Sequence, residues 1–163
     1  GGTARKFVFN DTEVHIVKPL RFMNLSGETV ASFIAKKNLK PENLLVIHDD
    51  MDIPIGRIRI AMGGGAAGHK GIQSIIDCLG SANFARLRFG IGRGQSSGAR
   101  DYVLSVFDAN EKEILEKAVE LSVSAVKFLL ENGISAAMNE FNGRNAAPAE
   151  NRTTAQKEEN YTL

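Results

Sequence analysis

Residues 44–80 read LLVIHDDMDIPIGRIRIAMGGGAAGHKGIQSIIDCLG, and this stretch decides the fold. It opens on LLVIH (44–48), a continuous apolar run of the kind carried by a strand buried on both faces. The turn-prone DDMDIPIG interrupts the run. RIRIA (57–61) then alternates charged and apolar residues, as a strand with one wet face does. After the glycine loop, Ile72, Ile75, Ile76 and Leu79 recur at helical spacing, and Gly80 is a natural C-terminal stop.

Working outward, EVHIVK (13–18) alternates polar and apolar residues and reads as a half-buried strand. Ser26 to Lys37 suits a helix with Val30, Phe33 and Ile34 on one face. RLRFGI (86–91) is a strand with a polar face. Asp108 and Glu111 have capping-box spacing ahead of a long amphipathic helix whose face carries Ile114, Ala118, Leu121, Ala125 and Leu129. Gly133 follows that helix, and a short helix fits around Ser135–Phe141. From Asn142 the chain is polar and aperiodic, so residues 143–163 read as a disordered tail behind a domain covering 1–142. Strands interleaved with helices indicate an α/β domain. The hairpin-like spacing of EVHIVK, RIRIA and RLRFGI argues for a mixed sheet rather than a parallel one.

The 163 residues suffice for one domain with a real core, and 43% apolar content is ordinary for a globular protein. No apolar run approaches a membrane span, and no secretory signal is visible. The single cysteine, Cys78, excludes an internal disulfide and makes a cytoplasmic protein the simpler expectation. Residues 1–100 carry 14 Lys/Arg against 8 Asp/Glu, a balance of +6. Residues 101–163 carry 6 against 11, a balance of −5. Such asymmetry hints at a polyanion-binding face, although two differently solvated surfaces would produce it too.

Four segments are candidates for chemistry. The loop MGGGAAGHKG contains a G-x-G-x-x-G (Gly63, Gly65, Gly68), but no acidic ribose ligand stands about 20 residues beyond it. Nor is it a P-loop, because Gly71 follows Lys70 where Ser or Thr would hold magnesium. A flexible turn is the plainer reading. The preferred one is a bare backbone that lets a polar substrate approach and donates amides from the helix start at His69–Gly71.

HDDMD (48–52) ends a buried strand, where α/β proteins place their chemistry. Alternation separates Asp49 from Asp50, which weakens a metal site of Asp49, Asp50 and Asp52. A turn satisfied by Asp side chains is the plainer reading. One aspartate orienting a histidine is the sharper one. In FMNLSG (22–27), Asn24 either caps the next helix or presents its amide to a peptide-like substrate. Arg57 pairs with Arg59, and Arg86 with Arg88, on common strand faces, an arrangement suited to phosphate contacts. Without Trp and with few aromatics, recognition by base stacking is not expected.

Together, KPLRFMNLSG, LLVIHDDMDIPIG, GGGAAGHKGIQSII and FARLRFGIGR, in this order, closely resemble bacterial-type peptidyl-tRNA hydrolase from about Lys6 to Asn142. The resemblance implies a single-domain three-layer α/β fold with a mixed twisted sheet flanked by helices. It also implies hydrolysis of the ester joining peptide to tRNA by a cytoplasmic monomer, with peptidyl-tRNA as partner and no metal or organic cofactor. It assigns Asn24 to the peptide cleft and the catalytic site, Asp49 to orienting the catalytic histidine, and His69 to the cleft beside the substrate. Arg88 and Arg59 match basic positions that grip tRNA, and the segment around Ser97–Val106 matches a mobile region over the cleft.

Three departures stand out. The family's G-L-G-N-P-G and T-R-H-N segments, the second of which carries the general base, do not occur in these residues. An N-terminally incomplete chain, poorly active by itself, is therefore expected, and none of His15, His48 or His69 takes the base's role. The alternative is a catalytically silent relative that binds RNA or a partner. Lys70 stands where G-H-N-G has asparagine, which turns a water-positioning amide into a cation able to meet substrate carbonyl or tRNA phosphate. Ala61 replaces a second basic residue, leaving the tRNA grip to Arg59 and Arg88.

Overall fold

A computed structural model describes residues 1–93 and 107–146, and their elements follow the sequence pattern closely. They comprise β1 (Gly2–Phe9), β2 (Thr12–Pro19), α1 (Ser26–Lys37), β3 (Leu45–Asp50), β4 (Ile58–Met62), α2 (Lys70–Leu79), β5 (Ala85–Gly90) and α3 (Ala109–Phe141). Helix α1 has the bounds its apolar stripe predicts and ends on Asn38 in the left-handed region. Gly80 ends α2 in the same way. Asp108 and Glu111 form the expected reciprocal capping box at the start of α3. Gly133, at φ 80°, kinks α3 where sequence periodicity separates two helices.

The central sheet is mixed, in the order β3-β5-β4. β3 runs parallel to β5 and β4 runs antiparallel to it, with Ile60 opposite Leu87 and Arg59 opposite Arg88. Helices cover both faces. Ile58, Ile60 and Leu87 pack with Ala125, Ala137 and Phe141 of α3. On the other side Val30 and Ile34 of α1 meet Ile72 and Ile75 of α2 around the fully buried Phe84. The two helices cross closely enough that Gly27 N donates to Ser74 Oγ at 3.0 Å, and a Cβ at Gly27 would overlap the Ser74 carbonyl.

The strand EVHIVK does not join this sheet. It becomes β2 and pairs antiparallel with β1, which has no clear alternation, through a turn at Asn10 and Asp11, both at positive φ. The ribbon and β3 both line a cavity of about 1100 Å³ that also touches α1 and α3. At the opposite edge, Asn142 mimics a strand residue. Its Oδ1 accepts from Ile60 N at 2.6 Å and its Nδ2 donates to Ile60 O at 3.0 Å. Asn145 forms an antiparallel bridge with Arg57, and Ala146 N donates to Gly56 O at 2.9 Å, so these residues lie beside the approach to β4. Both the segment around Ser97–Val106 and the tail beyond residue 146 fall outside the described residues.

Candidate active site

The end of β3 and the start of α2 meet through Asp49 and His69. Nδ1 of His69 accepts from the amides of Gly71 at 3.1 Å and Ile72 at 3.2 Å, so the side chain caps its own helix. A nitrogen that accepts two amides carries no proton, which leaves the ring N–H on Nε2, donated to Asp49 Oδ1 at 3.2 Å. That hydrogen bond, ahead of the opposing effect of burial, lowers the Asp49 pKa. One Asp49 oxygen is thereby committed. No other side chain of the described residues donates to Asp49, whose side chain is 32% exposed.

The capping by His69 overturns one expectation. Gly71 and Ile72 amides at the helix start are already occupied, so they are not what this loop offers a ligand.

His48 lies edge-on to His69, with ring centroids 4.8 Å apart. Its Nδ1 donates to the Asp49 carbonyl at 2.8 Å, and its Nε2 is buried with no described partner. Burial is the main reason its pKa falls, so His48 is held as a neutral ring.

The three aspartates of HDDMD do not converge. Asp49 goes to His69, Asp50 accepts from Arg88 Nε at 2.5 Å, and Asp52 pairs with Arg93 at the surface. Among the described residues no three His, Cys, Asp or Glu groups are arranged to hold a metal ion. The Asp50–Arg88 pair is the more buried of the two arginine pairs, and it engages Arg88 through Nε.

Asn24 is exposed in a 3-10 turn, Met23–Leu25, that packs against α2, where Met23 sits beside Gly71. It does not cap α1, which starts without a side-chain cap, and its amide has no described partner. Lys70 and Arg59 are also exposed, with no described partner for their charges.

Arg86 shares a strand face with Arg88, as expected, but is not open to a phosphate. It is 4% exposed, and it donates Nη1 to Gly65 O at 2.6 Å and Nη2 to Gly64 O, with the guanidinium over the Phe84 ring. It braces the glycine loop from inside and does not reach a surface phosphate. The only legible sign was its place beside Phe84 in a strand flanked by apolar runs.

No helix among the described residues is long and apolar enough to cross a membrane. A family profile described as Peptidyl-tRNA hydrolase matches residues 2–150. The peptidyl-tRNA hydrolase of Syntrophomonas wolfei is 46% identical over 133 residues, covering 82% of this chain and 72% of its own. That of Thermodesulfovibrio yellowstonii is 40% identical, covering 80% and 71%. The crystal structure of peptidyl-tRNA hydrolase from Acinetobacter baumannii superposes with a TM-score of 0.83 at 33% identity, covering 90% of this chain and 74% of that one.

Proposed function

The chain belongs to the peptidyl-tRNA hydrolase family, and we propose that Asp49, Asn24, His69 and Lys70 form its ester-cleaving site, with Arg59 and Arg88 gripping the tRNA. The reaction is attack of water on the ester carbonyl joining peptide to tRNA. The observation that carries the site assignment is the Asp49 carboxylate, which spends one oxygen on His69 and keeps the other clear of side chains.

Water is a poor nucleophile at neutral pH and needs a base. His69 cannot serve in this arrangement, because one nitrogen caps α2 and the other donates to Asp49. The resemblance assigns the base to a histidine from a T-R-H-N segment, which these 163 residues do not contain. The clear Asp49 oxygen suits it, holding such an imidazole in the tautomer that leaves its other nitrogen facing water. The unpartnered Asn24 amide can bind a peptide group, both donating and accepting. Lys70 adds a free cation at the cleft wall, next to the developing oxyanion or a phosphate. On the family resemblance, this reading also takes the protein to be a cytoplasmic monomer without an obligatory protein partner.

The test is peptide release from peptidyl-tRNA by the full-length protein. Asp49→Ala should cut turnover by about two to four orders of magnitude, with tRNA affinity nearly unchanged. Arg88→Ala should do the reverse and mainly weaken binding, with a shallower salt dependence. Equal losses in both measures for Asp49→Ala would remove its orienting role.

A further inference from the structure

The glycine loop uses its carbonyls and leaves its amides unspent. Arg86 takes the carbonyls of Gly64 and Gly65, and His69 N donates to Ala66 O at 2.9 Å. A trans peptide points its C=O and N–H in opposite directions, and no peptide bond here is cis. The N–H groups of Gly65, Ala66 and Ala67 therefore face away from Arg86 and from His69 N. None of them donates to a described residue. Gly65 and Ala67 are exposed, and Ala66 is half-buried. Gly65 and Ala66 thus present two successive amides away from the same guanidinium, with the Ala67 amide following, and a run of free successive amides can hold an anion.

The backing is independent of the loop's shape. Arg86 is a guanidinium almost wholly buried, its Nε has no partner, and no described carboxylate pairs with it. Only the Gly64 and Gly65 carbonyls meet its charge among the described residues, so its field acts through these peptides toward the amides on their far side. Lys70, exposed and immediately past the loop, adds a second cation.

Gly65 supplies a third observation. Its φ is not in the left-handed region, and a Cβ there would meet nothing within 4 Å. Neither backbone strain nor packing calls for glycine at this position, whereas close approach of a ligand to the amides does.

Building on the hydrolase reading, we propose that the amides of Gly65, Ala66 and Ala67, backed by buried Arg86, bind a phosphodiester oxygen of the substrate tRNA. The contact is separate from the arginine grip, and it reads the nucleic-acid backbone through main-chain donors, without regard to base.

The experiment follows backbone amide resonances of the full-length protein during titration with an acceptor-stem RNA hairpin. Inorganic phosphate, and chloride at matched ionic strength, serve as comparisons. The Gly65, Ala66 and Ala67 amides should move with hairpin and phosphate and not with chloride, and phosphate should displace the hairpin from them. Gly65→Val, whose methyls crowd the amides, should raise the hairpin Kd about tenfold with an unchanged thermal midpoint. A shift with phosphate but not with hairpin would mean an adventitious ion only and would overturn the tRNA assignment. Hairpin binding that leaves these amides unmoved would overturn the proposal while the hydrolase reading stands. Absence of hairpin binding together with absence of peptide release would overturn both.

Discussion

The β1–β2 ribbon and the β3-β5-β4 sheet have equally regular backbone pairing, but their side chains meet different surroundings. No residue of the ribbon is buried, and Val8 and Ile16 are 66% and 59% exposed. In the sheet, Ile58, Ile60, Ala85 and Leu87 are buried beneath helices. The ribbon's aromatic support is the edge contact of His15 with Phe33 on α1. Hydrogen-bonded pairing thus makes a strand, but a covering layer makes it stabilising, because burial contributes about 25 cal/mol per Å² of apolar surface. Asp49, to which we assign the orienting role, sits at the end of β3 in this sheet, where His69 holds its carboxylate in place.

The sharpest way to break this contrast is to remove a buried ring and an exposed side chain in turn and compare urea unfolding of the full-length protein. Phe84→Ala takes away a wholly buried ring between α1, α2 and the sheet, so it should cost about 3–5 kcal/mol. A loss under about 1 kcal/mol would mean that this layer is not the core.

An intermediate effect should appear with pH. Burial lowers the His48 pKa in the folded protein, so below about pH 6.5 the unfolded chain binds a proton that the folded one refuses. Stability should therefore fall as pH drops from neutral toward the depressed folded value, by at most about 1.4 kcal/mol per pH unit from this group. His48→Asn should flatten that slope, and an unaltered slope would show that His48 is not the responsible group. The smallest effect belongs to the ribbon, where Ile16→Ser should change stability by less than about 0.5 kcal/mol. A loss matching Phe84→Ala would place a hidden layer over the ribbon.

Much of this was legible in the sequence because periodicity reports burial. The stripe Val30, Phe33, Ile34 gave α1 its face, and LLVIH announced a strand, but not one buried on both faces: β3 lies at the sheet edge, none of its residues is buried and Ile47 is 57% exposed. β1 was not legible, since KFVF breaks the alternation, although the Asn10–Asp11 pair ahead of β2 was a usable hairpin signal. In the site, Asp49 stood out by its strand-end position, and its separation from Asp50 followed from the pleat. The capping role of His69 and the inward turn of Arg86 depend on which carbonyls and amides the loop brings near them. Those are tertiary facts, invisible to spacing.

Asn142 carries a consequence for the order in which the molecule can be built. Ile60, whose backbone it satisfies, lies 82 residues earlier in the chain. During synthesis β4 can pair with β5 long before α3 emerges, but its outer edge stays open until translation has passed Asn142. An open edge is a template for a neighbouring chain. The last described residues thus end an interval of exposure that opens when β4 first forms.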